Sequence, residues 1–316
     1  MKQVAAIVIG RNEGARLTTC LKSLQGVADP IVYVDSGSTD GSIENATALG
    51  AHVVSLDLSV PFTAARARNA GMAALGDDAP MYVQLVDGDC EVQPSWVPTA
   101  AAFLDVNPYV AIVAGRLRER HPDATIWNQL ADDEWATTPG EVAEIGGISL
   151  VRRKALAEID GFRESLIAGE EPEMCLRLRR LGWKIWRLED EMALHDIAMT
   201  RFGQWWTRSK RSGHAYAEGA ALHGDGPERY RIQEVRRIMI WGAIIPLFII
   251  AGSIFVSWLF VLGALIYPLQ IVRLSRRMPL RRAFFLTIAK FAEAQGVIAS
   301  WIARRRGKQQ KIVEYK

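Results

Sequence analysis

The chain has 316 residues, 49% of them hydrophobic and 23% charged, with a formal net charge of +3. A chain of this length buries a substantial core and exceeds one simple domain, so an enzyme-sized domain with an appendage is expected. Its three cysteines, Cys20, Cys90 and Cys175, are odd in number and far apart, which argues against a disulfide framework or a zinc knuckle and fits a reducing compartment.

Met1-Lys2-Gln3 opens a short apolar run that reaches Arg11 and Glu13, too short for a signal peptide, so the N-terminus is expected to stay in the cytoplasm. Val4–Ile9, Ile31–Asp35, His52–Ser55 and Met81–Val86 read as short buried strands. Between them, Ala15–Leu24, Ile43–Leu49 and Phe62–Leu75 read as helices. This alternation predicts an α/β domain over residues 1–200 with a mostly parallel sheet, whose ligands bind at the carboxyl ends of the strands. The unusual polar loops fall there: Gly10-Arg11-Asn12-Glu13-Gly14, Asp35-Ser36-Gly37-Ser38-Thr39-Asp40-Gly41, and Asp87-Gly88-Asp89. Two carboxylates leaving a buried strand are unfavourable unless a cation sits between them, and a divalent ion bridging a diphosphate is the usual occupant. Taken alone, Asp87-Gly88-Asp89 reads more readily as a strand-ending turn, and its neighbours decide the matter.

The back of the chain has another character. Residues 1–200 hold 18 Lys and Arg against 29 Asp and Glu, whereas residues 201–316 hold 20 against 6. The basic charges flank a long apolar run, which makes anionic lipid a better partner than nucleic acid. From Ile238 to Val272 there is no Asp, Glu, Lys or Arg. Those residues would make a helix of roughly 50 Å, against a hydrocarbon core of about 30 Å. Both flanks are basic, with Arg236 and Arg237 before and Arg273, Arg276, Arg277, Arg281 and Arg282 after. The positive-inside rule then puts both ends in the cytoplasm and requires an even number of crossings. A helical hairpin over 238–272, turning near Gly252-Ser253, satisfies this, either spanning the bilayer or entering one leaflet; a buried hairpin of a soluble protein is the alternative. Residues 201–237 form a basic juxtamembrane segment. Within 273–316, residues 280–303 place Phe284, Ile288, Phe291 and Ala292 near one helical face, interrupted by Lys290 and Glu293 and closed by Arg304-Arg305-Arg306. This predicts a basic amphipathic helix in the membrane interface, with a third span as the alternative.

Residues 3–200 resemble glycosyltransferase family 2, the inverting enzymes of GT-A fold. Asn12-Glu13 matches the family's Asn-Glu, VDSGSTDGS at 34–42 its acidic loop, ARARNAG at 65–71 its Arg-Asn-x-Gly helix, and Asp87-Gly88-Asp89 its Asp-x-Asp. Gly146-Gly147 and Asp160-Gly161-Phe162 match the acceptor-side segment, and GEEPEMCLRLRRLGW at 169–183 matches the helix that opens with Glu-Asp.

The resemblance implies a GT-A fold with C-terminal membrane helices and a nucleotide-sugar site. Asp35 would read the base with Glu13 as its helper, and Asn12 and Gly88 belong to the same loops. Arg68 would contact the nucleotide phosphate or hold the Asp-x-Asp loop. Asp89 and Asp87 would hold Mn²⁺ or Mg²⁺, with His195 a further candidate ligand in the segment after a strand at Lys184–Leu188. Glu171 stands at the family's catalytic-base position, where Glu replaces Asp, and its neighbour Glu170 is the second candidate. Gly146 and Gly147, with Arg208 and Arg211, would line the donor and acceptor pocket. Ser36 replaces an Asp found in many relatives, so UDP is only a lean over GDP or dTDP. Gln204-Trp205-Trp206-Thr207-Arg208 does not match the processive synthases' Gln-x-x-Arg-Trp, and Trp205 and Trp206 fit an interfacial belt as well as a sugar platform. Cys90 reads as a packed strand-end residue, because inverting transfer needs no covalent intermediate.

The expectation is thus an inverting, metal-dependent glycosyltransferase on the cytoplasmic face of the inner membrane. It would move a sugar from a nucleoside-diphosphate sugar to a lipid-linked or glycan acceptor in cell-envelope synthesis. A sugar-phosphate nucleotidyltransferase and a noncatalytic membrane scaffold are the rival classes. The first would open with a Gly-rich loop followed by Arg and Lys for the triphosphate, which Gly10-Arg11-Asn12-Glu13-Gly14 does not supply, and intact acids at 35, 87, 89 and 170–171 argue against the second.

Overall fold

The computed structural model describes residues 4–307, which divide into two compact units between Ala198 and Met199. The predicted cytoplasmic start Met1–Gln3 and the basic tail beyond Gly307 lie outside the described residues.

The first unit opens as β1 (Val4–Gly10), α1 (Ala15–Leu24), β2 (Ile31–Asp35), α2 (Ser42–Ala48), β3 (His52–Ser55), α3 (Ala64–Leu75) and β4 (Tyr82–Asp87). It continues through β5 (Cys90–Val92), α4 (Trp96–Val106), β6 (Val110–Glu119), α5 (Ile126–Trp135), β7 (Gly140–Glu141), β8 (Ser149–Arg152), α6 (Arg153–Ala157), α7 (Glu170–Arg180) and β9 (Lys184–His195). The sheet order is β3-β2-β1-β4-β8-β6-β9-β5, with β7 pairing β9. β1 to β4 are mutually parallel where they pair, and β8 enters antiparallel to β4 and β6. β1 and β4 are buried on both faces, as parallel strands covered by helices must be, which is why they read as unbroken apolar runs. The one polar residue inside β4, Gln84, is satisfied: its Oε1 accepts from Trp96 Nε1 at 2.9 Å and its Nε2 donates to the Leu85 carbonyl at 3.0 Å. Gly71 lets α3 lie against the sheet, because a Cβ there would fall 2.5 Å from Ile7 Cγ2.

One predicted boundary moves. The strand expected at Lys184–Leu188 continues to His195, through the exposed acidic triplet Glu189-Asp190-Glu191 and into buried Met192 and Ala193. The β6–β9 register slips near Gly115, where a side chain would collide with the Asp190 carbonyl and Trp96. A bulge of this kind re-aims the strand after it, and here it carries His195 to a position opposite Cys90.

The second unit is helical: α8 (Phe202–His223), α9 (Ile232–Met239), one wider π-type turn (Ile240–Ile244), α10 (Ile245–Phe255), a 3₁₀ segment (Trp258–Leu265), α11 (Ile266–Ser275) and α12 (Leu280–Arg305). The π turn falls where Pro246 has no N–H to return to the carbonyl of Gly242. The chain reverses at Val256-Ser257, not at the predicted Gly252-Ser253. Gly252 instead stays helical and gives the Phe260 ring room to pack against α10, while the Val256 and Ser257 N–H groups both return to its carbonyl, at 3.0 and 2.9 Å. Three stretches are long and apolar enough to cross a membrane: Ile232–Phe255, Trp258–Ser275 and Leu280–Arg305. They are unequally covered, since half of the most apolar window of α12 is buried within the structure and none of that of Trp258–Ser275. α12 packs on α8 and on the π turn through Gly213, Gly242 and Gly296, each facing a backbone carbonyl of the neighbouring helix where no Cβ would fit.

Candidate active site

Because β1, β2 and β4 are parallel and in register, Gly10 stands beside Asp35 and Ile9 beside Asp87, and three polar loops leave the sheet at one edge. The first two loops are laced together. Asn12, in a left-handed conformation at φ 55°, donates its N–H to Ser38 Oγ at 2.9 Å and accepts the Thr39 N–H on Oδ1 at 2.7 Å. Gly14 donates to Asp40 Oδ2 at 2.9 Å. The Ser42 hydroxyl, ahead of backbone donors, holds the Asp40 carboxyl below its usual range. Asp35 is 1% exposed, accepting the Tyr33 hydroxyl on Oδ1 at 2.9 Å and the N–H groups of Gly37 and Ser38 on Oδ2 at 2.8 and 2.9 Å. Its carboxylate therefore shapes the loop that would surround a base. Glu13 pairs with Arg16 at 2.7 Å. Gly88 brings the third loop back under β1, donating to the Ile9 carbonyl at 2.8 Å where a side chain would crowd Glu13.

Arg68 is the centre of the site. Its side chain is 2% exposed, against the usual solvent preference of arginine, and it gathers three carboxylates from two elements, β4 and α7. Nη1 donates to Glu170 Oε1 at 3.0 Å and to Glu171 Oε1 at 2.7 Å, and Nη2 donates to Asp87 Oδ1 at 3.0 Å. Burial would lower the pKa of Arg68, but Glu171, Asp87 and Glu170 outweigh it and hold the guanidinium charged. Of the two roles the sequence left open for Arg68, the structure displays the clasp on the Asp-x-Asp strand end. The rest of the ARARNAG motif supports this clasp. Asn69 donates to the Phe162 carbonyl at 2.8 Å and accepts the Phe162 N–H at 2.9 Å, tying α3 to the Asp160-Gly161-Phe162 turn. The Phe162 ring then lies 5.6 Å from the Arg68 guanidinium carbon.

Glu170 and Glu171 open α7 after Gly169, whose left-handed φ of 79° starts the helix sharply. Three acids in the first turn suit the helix dipole. Glu170 is the more enclosed, with 5% side-chain exposure against 15% for Glu171. Burial first, and Glu170 second, push the Glu171 carboxyl up to about 7, against the opposing pull of Arg68. Gly147 lies over this cluster: a Cβ there would be 2.5 Å from Arg68 Nη2, 3.0 Å from Glu171 Oε1 and 3.2 Å from Asp87 Oδ2. Gly146 faces open space. Arg208 and Arg211 belong to α8 in the second unit, and are described only with it.

A second acidic corner adjoins the first. Asp89 Oδ2 lies 3.3 Å from His195 Nε2 and Oδ1 lies 3.5 Å from Cys90 Sγ. One donor atom from each of Asp89, Cys90 and His195 falls within 4.8 Å of the others. Carboxylate oxygen and imidazole nitrogen completed by phosphate oxygens fit Mn²⁺ better than Mg²⁺, which takes oxygen almost exclusively, so Asp89 and His195 fit an ion of the expected kind. Burial and the Asp89 charge raise the Cys90 thiol well above its usual range, which leaves no free thiolate for nucleophilic work. Two contributors escaped the sequence reading. Asn69 was legible as part of the motif but carried no assigned role. Trp135, whose ring meets His195 edge-on at 4.8 Å, left no signal, since that contact depends on the extended β9.

This sheet order, with its carboxylates at the strand ends, is the GT-A architecture. The structure of mannosyltransferase PcManGT from Pyrobaculum calidifontis, in complex with GDP-Man and Mn²⁺, superposes with a TM-score of 0.65 at 17% identity, covering 94% of this chain and 87% of that one. Residues 1–349 of S. aureus TarS give 0.54 at 16% identity, covering 97% and 92%. Residues 5–160 match the family model "Glycosyl transferase family 2", and this domain belongs to glycosyltransferase family 2. Among curated relatives, the pre-mycofactocin glycosyltransferase of Mycobacterium tuberculosis is 26% identical over 237 residues, 71% of this chain and 49% of that protein. An uncharacterized glycosyltransferase of Rickettsia bellii is 42% identical over 53 residues, 17% of this chain and 18% of that protein. The chain spans about half the length of the first of these relatives.

Proposed function

We propose that this glycosyltransferase moves a sugar from a nucleoside-diphosphate sugar to a membrane-associated, lipid-linked or glycan acceptor, with inversion at the anomeric carbon. The observation that carries the reading is the Arg68 clasp, which holds Glu171 and Asp87 together against Gly147, where no side chain would fit. Glu171 takes the proton from the acceptor hydroxyl as that oxygen attacks the face of the sugar opposite the leaving diphosphate. A carboxyl that titrates near 7 is matched to that task. Glu170, more enclosed, holds Arg68 in place. Asp89, with Asp87 and His195, would hold Mn²⁺ or Mg²⁺, which when bound offsets the negative charge growing on the diphosphate. Asn12, Glu13, Asp35 and Gly88 form the nucleotide-side loops, Gly146 and Gly147 the sugar side, and Arg208 and Arg211 stand as candidates for the diphosphate. A UDP-sugar is favoured as donor; the GDP-Man bound by PcManGT makes GDP the first comparison.

The second unit is read as the anchor that holds the catalytic unit, residues 1–200, at the cytoplasmic face of the inner membrane. In this reading the hairpin of 238–272 enters the bilayer, and the basic segments 201–237 and 273–316 meet anionic headgroups. In the same reading α12 is the interfacial helix, packed on α8, which carries Arg208, Lys210 and Arg211, and also on α11 and the π turn of the hairpin.

Calorimetry of the detergent-purified protein with UDP, GDP, CDP and dTDP, in Mn²⁺ and in chelator, tests the donor site. Metal-dependent binding of one diphosphate, lost in Asp89→Ala, is expected. Absence of binding to all four, with or without metal, overturns the reading.

A further inference from the structure

The sequence reading makes Cys90 a packing residue, like Cys20 and Cys175. Its surroundings differ from theirs. All three border the apolar core, but Cys20 Sγ faces the Asp87 carbonyl at 3.7 Å and Cys175 is not grouped with other candidate metal donors among the described residues. Cys90 opens β5 directly opposite His195 on β9, and residues paired across an antiparallel ladder project to the same face. Asp89, its chain neighbour, reaches both of them, one oxygen toward each. His195 Nδ1 is buried and has no hydrogen-bond partner among the described residues. Asp89 is 4% exposed and Cys90 1%, so this corner presents oxygen, nitrogen and sulfur donors in a nearly dry setting.

We propose that Cys90, in place of Asp87, whose carboxylate Arg68 holds, is the third protein ligand to the divalent ion beside Asp89 and His195, and that its sulfur tilts the site toward Zn²⁺ and Co²⁺ and away from Mg²⁺. On binding, the thiol proton leaves to solvent and the freed sulfur lone pair enters the coordination shell; nothing is oxidised or reduced. Thiolate and imidazole favour the borderline transition ions, whereas Mg²⁺ takes oxygen almost exclusively. Three protein donors also leave room for a phosphate oxygen, so the same shell is compatible with donor binding. The inference rests on the reading of Asp89 and His195 as ligands.

The test is the absorption spectrum of the full-length, detergent-solubilised protein loaded with Co²⁺. The expected spectrum has ligand-field bands in the visible and a sulfur-to-cobalt charge-transfer band in the near ultraviolet. Cys90→Ser should keep the visible bands and lose the near-ultraviolet one, and Cys20→Ser should keep both. In competition titrations Cys90→Ser should weaken Zn²⁺ by at least about tenfold and leave Mn²⁺ within about threefold. Visible bands without a charge-transfer band in the unaltered protein overturn the proposal, whether or not the variant folds. A charge-transfer band that survives Cys90→Ser also overturns it. If neither Co²⁺ nor Mn²⁺ binds, with or without nucleotide, the metal reading of Asp89 and His195 fails, and this inference falls with it.

Discussion

Glu171 sits where two opposing influences meet, since burial and Glu170 raise its pKa while Arg68 lowers it, and the outcome is a carboxyl near 7. A general base works only when ionised, so turnover should rise with pH through about 7 and level above it, a profile measurable from initial rates at saturating substrate. Stability should respond in the opposite sense. The folded state binds the Glu171 proton more tightly than the unfolded chain does, so that contribution is present below about 4.5 and lost as pH climbs toward about 7. Glu171→Gln keeps the Arg68 hydrogen bond and removes the base; it should reduce kcat by about 10²–10⁴-fold with the melting temperature held or raised. Retained turnover in that variant would shift the role to Glu170. Arg68→Ala should be destabilising by about 3–5 kcal/mol, because it leaves buried carboxylates unpaired, and a thermal-shift assay would register it. Gly147→Ala tests space alone. A methyl group 2.5 Å from Arg68 Nη2 must displace the clasp, so kcat/KM should fall while secondary structure by circular dichroism is kept.

At the scale of elements, β1, β2 and β4 were legible because burial on both faces leaves continuous apolar runs, β3 is a partly exposed edge strand, and all four lie within a residue or two of where the sequence put them. The end of β9 was hidden by Glu189-Asp190-Glu191, whose charges mimic a loop while the backbone keeps pairing through a bulge. The hairpin reversal was misplaced for a related reason. Glycine signals a turn when only the chain is visible, yet Gly252 serves the approach of Phe260, a contact between segments. The motif residues were recognisable one by one, but only the folded chain brings Arg68 onto Asp87, Glu170 and Glu171 together, across sequence separations of 19, 102 and 103 residues. In the second unit, Gly213 and Gly296 set the approach of α8 and α12. Gly213→Leu or Gly296→Leu should force those helices apart and be destabilising by about 1–3 kcal/mol or more, read as a lowered melting temperature in detergent.

At the scale of the whole molecule, the anchor reading predicts an orientation. In a cysteine-replaced chain, single cysteines at Arg237, Arg277 and Arg306 should all react with an impermeant maleimide from the cytoplasmic side of membrane vesicles. Ser257→Cys should react from the other side or not at all. A cysteine at Arg306 that reacts only from the outside would mean that α12 crosses the bilayer. The buried clasp has a further bearing on the sequence of events during turnover. One guanidinium faces three carboxylates, so a nucleoside diphosphate arriving by itself meets a wall of its own sign. Repulsion of this kind screens out bare nucleotide and rewards a complex whose charge has already been reduced. The cation should therefore precede or accompany the donor, and the acceptor, which carries the proton that Glu171 removes, should enter last.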